Sequence, residues 1–192
     1  MIAIVLSEYG YKEAAFGLGL SYGKTSDMDF RGYNDPSEQE KVMQKLAGKG
    51  NGHDKFLRML TVTLDITAPM YWWKEFDTYK VGTVAQSEST MHTITKRLLC
   101  RADFEGSIDN AELAQINNLI ESYKHSTDNS KLIWYMIINR LPMGFLQRRI
   151  VTTNYAALRN IISQRKGHKL FEWAEFIRAI ENGVKHPNLL GA

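Results

Sequence analysis

"LTVTLDIT", residues 60–67, alternates Val62, Leu64 and Ile66 with Thr61, Thr63, Asp65 and Thr67. A period of two with one apolar face is the pattern of a half-buried β-strand. Ala68-Pro69 closes the strand, and Pro69 opens "MYWWKEFDTYK" (70–80), an aromatic stretch with helical spacing. Two further strands lie outward from this one. "IAIVL" (2–6) reads as a short buried strand, and "FLQRRIVTT" (145–153) as one that becomes β-branched towards its end.

Helices fill most of the rest. The small-residue stretch 8–24 is read as helical, and Pro36 opens a helix over 37–48 out of the polar, turn-rich 25–40. Asp109 caps a helix over 109–124 whose stripe is Leu113, Ile116 and Ile120. "SKLIWYMIINRL" (130–141) is a second, more buried helix that stops at Pro142. Helices over 155–165 and 171–183 end at Gly167 and Gly183, and the tail "VKHPNLLGA" reads as loose. The Gly-rich 48–55 and the Ser/Thr-rich 81–93 read as loops. The order implies a mixed α/β (α+β) fold, a central sheet with surrounding helices, in a single domain over 1–192. Without a βαβ alternation, a doubly wound sheet is not expected.

Composition excludes several classes. Hydrophobic content of 44% and charged content of 23% are ordinary for a globular chain. The 24 Lys+Arg against 21 Asp+Glu leave a net charge of +3, too small to argue for nucleic acid or a membrane surface. Cys100 is alone, so no internal disulfide forms, and a reducing, cytoplasmic setting is expected. No stretch reaches the roughly 18 apolar residues of a membrane span, and the histidines show no metal-ligand spacing. "GLGLSYGKT" (17–25) lacks P-loop spacing and reads as a packing face.

"TTNYAALRNIISQR" (152–165) raises the functional question. A helix started at Asn154 puts Asn154, Leu158, Ile161 and Arg165 on one face, so a polar residue stands at each end of an apolar stripe. Asn154 suits an N-cap. Arg165 either snorkels past the helix end, where the dipole favours it, or meets an anion. Local physics leaves both open. His53, on the Gly-rich loop, is either solvated or a ligand contact. Trp72 and Trp73 point about 100° apart on a helix, so one of them is expected at an interface or a ligand. Hydroxyls and amides of 81–89 could hold a phosphate.

Taken together, these residues resemble a family. Leu141-Pro142, eleven residues, then Asn154, Leu158, Asn160 and Arg165 resemble the C-terminal region of the flavin-dependent thymidylate synthases, where a Leu-Pro pair precedes an N-x-R-S-L-x-N-F-x-x-x-R helix. "NYAALRNIISQR" has Ala156 and Ala157 in place of that Arg and Ser. Upstream, "GHDKFLRMLTVTLDITAP" (52–69) is similar to the family's Gly-His loop, strand and Ala-Pro. "TYKVGTVAQSESTM" (78–91) lies where the family carries R-H-R-x-x-S-x-N-x-x-S-x-R-Y; Lys80 and Thr83 are conservative replacements, whereas Thr90 stands for an arginine.

The resemblance implies a homotetramer that binds FAD and a pyrimidine deoxynucleotide such as dUMP. It would use NADPH as reductant and methylenetetrahydrofolate as co-substrate, and transfer a one-carbon unit to carbon 5 of the base. By position, Arg165 would be the catalytic residue that binds and polarises the nucleotide. His53, Tyr79, Lys80, Gln86, Asn154 and Asn160 would bind the flavin, and Ser87, Ser89 and Arg148 would join Arg165 on the substrate. On that basis Arg165→Ala is expected to abolish nucleotide binding with the fold nearly intact. The alternative is a non-catalytic nucleotide-binding or interaction protein on the same fold, which the departures at Ala156 and Thr90 favour. No membrane and no nucleic-acid partner is expected.

Overall fold

The computed structural model describes residues 1–191. Four strands, β1 (Ile2–Tyr9), β2 (Thr61–Pro69), β3 (Val84–Ser87) and β4 (Leu146–Asn154), form one antiparallel sheet in the order β1-β2-β4-β3. The helices are α1 (Tyr11–Leu20), α2 (Ser37–Leu46), α3 (Met70–Phe76), α4 (Thr90–Thr93), α5 (Asn110–His125), α6 (Ser130–Arg140), α7 (Tyr155–Arg165) and α8 (Phe171–Gly183). The fold is mixed α/β, as the element order implied. The described chain divides into two compact units.

One unit comprises Met1, Thr67–Thr78 and Gln86–Arg149. Its apolar centre is a cluster of Ile94, Leu99, Phe104, Ile108, Ile116, Ile120 and Ile137, with Leu113 packed partly buried against it. Asp109 caps α5 by accepting the Ala111 N–H at 2.7 Å and the Glu112 N–H at 3.3 Å. Asn117, inside that helix, clamps the backbone of Leu99 in both directions at 2.8 and 2.9 Å. In α3, Trp72 stacks on Phe76, and the Trp73 indole N–H donates to the Gln147 carbonyl at 2.9 Å. The Arg149 guanidinium lies 4.1 Å from the Trp73 ring centroid and donates to Asp77 at 2.7 Å.

The other unit comprises Ile2–Ile66, Tyr79–Ala85 and residues 150–191. Alternation in β2 does what its pattern requires: Val62, Leu64 and Ile66 are fully buried. Tyr155, Leu158, Ile161 and Ile162 are the buried stripe of α7, and α8 packs along β1, where Gly183 lets the helix approach Val5. Gly19 is closed off by the Thr25 side chain, but residues 20–24 are exposed and a Cβ at Gly17 or Gly23 would meet open space, so only part of the 17–25 stretch is a packing face.

Several expectations are corrected. β1 is not buried: Ile2, Ile4 and Leu6 are 61%, 53% and 53% exposed, because β1 lies at a sheet edge and only its other face meets α8. The 70–80 helix stops at Phe76. Both Trp72 and Trp73 are fully buried, since ring-on-ring packing with Phe76 absorbs both directions. The 81–93 stretch contains β3 and α4 rather than loop alone. In α6 only Ile137 is buried, while Leu132, Tyr135 and Met136 are exposed.

Nor is the tail loose. Leu189 and Leu190 are buried, and Glu8 accepts from the Lys185 N–H at 2.7 Å and from the Tyr155 hydroxyl at 2.9 Å. The His186 ring stacks on Tyr11 at 3.6 Å. Burial holds His186 below its ordinary value of 6.5, with Glu8 and Glu40 pulling the other way. The folded state therefore prefers the neutral ring. Stability from this group is complete above pH 6.5 and is lost as pH falls from there through the lowered folded value. His186→Phe keeps the stack without titrating, so urea unfolding between pH 7.5 and 5 (on the order of two units across the His range) should show a shallower decline than wild type. Equal declines would remove His186 as the cause.

Candidate functional site

The sequence places an arginine at the end of the α7 stripe, and the structure shows what holds it. Arg165 Nε donates to the Tyr79 hydroxyl at 2.7 Å, and Nη1 lies 3.2 Å from His168 Nε2. The guanidinium carbon sits 4.7 Å from the Trp173 ring centroid and 5.4 Å from that of Tyr79. A half-buried cation flanked by two aromatic faces gains both electrostatic and packing energy. The polar contacts then run on: the Tyr79 hydroxyl donates to Gln164 Oε1 at 3.0 Å, and Gln164 Nε2 donates to Asn160 Oδ1 at 3.1 Å.

At the opposite end of α7, Asn154 is the N-cap, accepting the Ala157 N–H at 3.0 Å through Oδ1. Its other amide group faces Gly82: a Cβ built there would overlap Asn154 Nδ2, and Gly82 has φ +70°. Glycine is the residue that reconciles this positive φ with so close an approach. Thr83 and Thr153 hydroxyls meet at 2.9 Å beside it. The segment 79–83 therefore runs along α7 from its last turn, at Tyr79, to its first, at Gly82. Exposed Lys80 lies within that segment.

This arrangement brings together Tyr79, Lys80, Asn154, Asn160 and Arg165. His53 belongs to the same unit and is exposed on the Gly-rich loop; Gly50 and Gly52, on either side of Asn51, have open space where a Cβ would be. Gln86, Ser87, Ser89 and Arg148 fall in the other unit. There the pairing of β3 with β4 gathers them. The Glu88 N–H donates to the Arg148 carbonyl at 2.9 Å, and Gln147 Nε2 reaches the Glu88 carbonyl at 3.0 Å and Thr90 Oγ1 at 3.3 Å. Gln86, Ser87 and Arg148 are exposed, and Ser89 caps α4 with its carbonyl accepting from Thr93 Oγ1 at 2.9 Å. A cleft of about 330 Å³ adjoins this group, lined among others by Glu88, Thr93, Lys96 and Arg97.

Sequence reasoning missed Gln164, His168, Trp173 and Lys96 as neighbours of these groups. For His168 the available signal was its place three residues beyond Arg165. Nothing local in the sequence pairs Trp173 with Arg165. Among the described residues, no group of three or more His, Cys, Asp or Glu side chains could hold a metal ion. No described helix is long and apolar enough to cross a membrane.

Two solved structures of the flavin-dependent thymidylate synthase ThyX from Helicobacter pylori, both with FAD and dUMP, superpose on this chain with a TM-score of 0.74. The fold is ThyX-like. The match covers 99% of this chain and 98% and 97% of theirs, at 13% sequence identity. No protein-family model and no curated protein matches the chain by sequence. What is shared with the ThyX structures is thus the whole course of the chain rather than its residues.

Proposed function

We propose that the protein is a divergent flavin-dependent enzyme of pyrimidine deoxynucleotides, transferring a one-carbon unit from methylenetetrahydrofolate to carbon 5 of dUMP or a related nucleotide. The observation that carries this reading is the course of 79–83 along α7. It gathers Tyr79, Lys80, Asn154, Asn160 and Arg165, which the family resemblance marks from two separate motifs, on one strip of one unit. The ThyX-like fold supports it.

The residues present suit a flavin nucleotide. Asn154 spends Oδ1 on the helix cap, which leaves its amide nitrogen as the donor, and the open ground beside Gly50 and Gly52 gives His53 access to a flat ring system. Asn160 and Lys80 add exposed polar groups on the same strip. FAD, once reduced by NADPH, would supply the reducing equivalents. Arg165 would bind an oxygen of the base through a charge-assisted hydrogen bond and polarise the ring. Ser87, Ser89 and Arg148 would bind substrate by the same resemblance, and the active assembly would be a homotetramer in the cytoplasm. Ala156 and Thr90, where the family has arginines, would slow turnover of dUMP relative to the family's enzymes.

The deciding experiment is a visible absorbance spectrum of purified protein, with and without added FAD, followed by NADPH oxidation in the presence of dUMP. A flavin band and nucleotide-dependent oxidation are expected. Protein that stays colourless after FAD is added would end this reading. Dinucleotide-free binding of dUMP without oxidation would leave the non-catalytic alternative.

Asn154 allows a finer test. Asn154→Ala should cost about 1 kcal/mol through the lost cap. Asn154→Asp keeps a capping oxygen but loses the amide donor. It should unfold like wild type in urea while binding FAD more weakly. Equal FAD affinity in the Asp variant would remove Asn154 from the flavin site.

A further inference from the structure

We infer that the C-terminal segment is a strap that fixes the Gly-rich loop, and that Arg159 is the pin between them. Arg159 lies in α7, one residue before Asn160, and its guanidinium is enclosed by two separate stretches of backbone. A Cβ on Gly48 would overlap Nε and Nη2, and a Cβ on Gly191 would overlap Nη1. Both glycines have positive φ, +78° and +80°, so each position resists an ordinary side chain twice over. Nη1 also donates to the Leu189 carbonyl at 3.2 Å. A planar guanidinium fits such a slot, whereas a lysine ammonium, a point charge on a flexible stem, does not.

The strap has its own anchorage. Lys185 N–H is held by Glu8 and the His186 ring by Tyr11, and Leu189 and Leu190 are buried. The loop, by contrast, is held by short-range bonds. Lys49 N–H donates to the Leu46 carbonyl at 3.0 Å, Gly50 N–H to Asp54 Oδ2 at 3.2 Å, and His53 N–H to the Gly50 carbonyl at 3.0 Å. Arg159 joins this locally bonded loop to α7 and to a firmly seated strap. It is a positioning residue: it acts on any ligand through the loop. Its consequence for flavin binding rests on the proposed function, since that reading puts His53 on the flavin side.

The test is amide hydrogen exchange on the full chain with Arg159→Met and Arg159→Lys, read at Lys49, Gly50 and His53, with the β2 amides as internal control. Exchange at the three loop amides should rise about tenfold in Arg159→Met, with the control unchanged, because local opening requires only the loop to detach. Arg159→Lys keeps the charge and should still show a rise. It also decides the matter if the Met variant fails to fold. FAD titration should show affinity falling about tenfold in Arg159→Met. Unchanged loop exchange in the variants would overturn the inference. Faster loop exchange in a protein whose wild type takes up no FAD would uphold the strap and overturn the flavin reading instead.

Discussion

Arg165→Ala is expected to lose dUMP binding and, in the same step, to loosen the end of α7. The sequence alone suggested a clean separation, with binding gone and the fold nearly intact. The structure changes the second half of that expectation. Arg165 donates to the Tyr79 hydroxyl at 2.7 Å and lies against the Trp173 ring at 4.7 Å. A hydrogen bond from a charged donor contributes about 1.5–3 kcal/mol, and a cation on an aromatic face about 0.5–2 kcal/mol. Contributions of this kind overlap, so a net loss of about 2–3 kcal/mol is the expected result. Urea unfolding measures that loss, and calorimetry with dUMP measures binding. Arg165→Lys should also fail to bind, since an ammonium cannot keep the Tyr79 contact while presenting a flat, bidentate face. Wild-type dUMP affinity in Arg165→Ala would show that the residue is purely structural.

The second large effect is expected at Trp173. Its side chain is fully buried, with ring centroids of Phe176 at 5.9 Å and Tyr79 at 6.2 Å around it. Truncation to alanine removes a large apolar volume and should cost about 3–5 kcal/mol. Trp173→Phe should cost less and retain a face for Arg165. If the guanidinium depends on that face, dUMP affinity should follow the order wild type, Phe, Ala. A Trp173→Ala protein with wild-type thermal stability would show that the pocket under Arg165 collapses without cost, against the packing argument.

Much of the fold was legible because strong periodicity and strong caps coincide in this chain. The strict alternation of 60–67, the Asp109 cap and the run from Asn154 to Arg165 each carry a local signal that no tertiary contact opposes. Elements without such a signal were misread. All four β3 residues are exposed, so Val84–Ser87 offers no apolar rhythm, and its pairing with β4 comes from elsewhere in the chain. The reverse error affected β1 and α6, where apolar residues suggested burial that the structure gives to one face only. The tail looked loose because its anchors, Glu8 and Tyr11, lie near the other end of the sequence.

The site divides in the same way. Asn154 and Arg165 stood out from helical spacing and resemblance together, because both work on local distances, and Asn160 from the resemblance alone. Tyr79 was placed by alignment alone, and the structure adds the bond that ties it to Arg165. His168, Gln164 and Trp173 stayed hidden. Their part in the arrangement depends on where α8 and the turn after Gly167 come to rest, which no spacing in 152–165 encodes.

The course of 79–83 has one more consequence. Tyr79 to Gly82 is not a straight run: the Thr83 N–H closes a turn on the Lys80 carbonyl at 3.4 Å, and Gly82 has φ +70°. The segment is a folded link tied to one helix at both ends, at Arg165 and at Asn154. Removing a residue from it would open that turn and draw the glycine off Asn154 or the tyrosine off Arg165. Substitution outside Gly82 is therefore cheap here, and deletion is not.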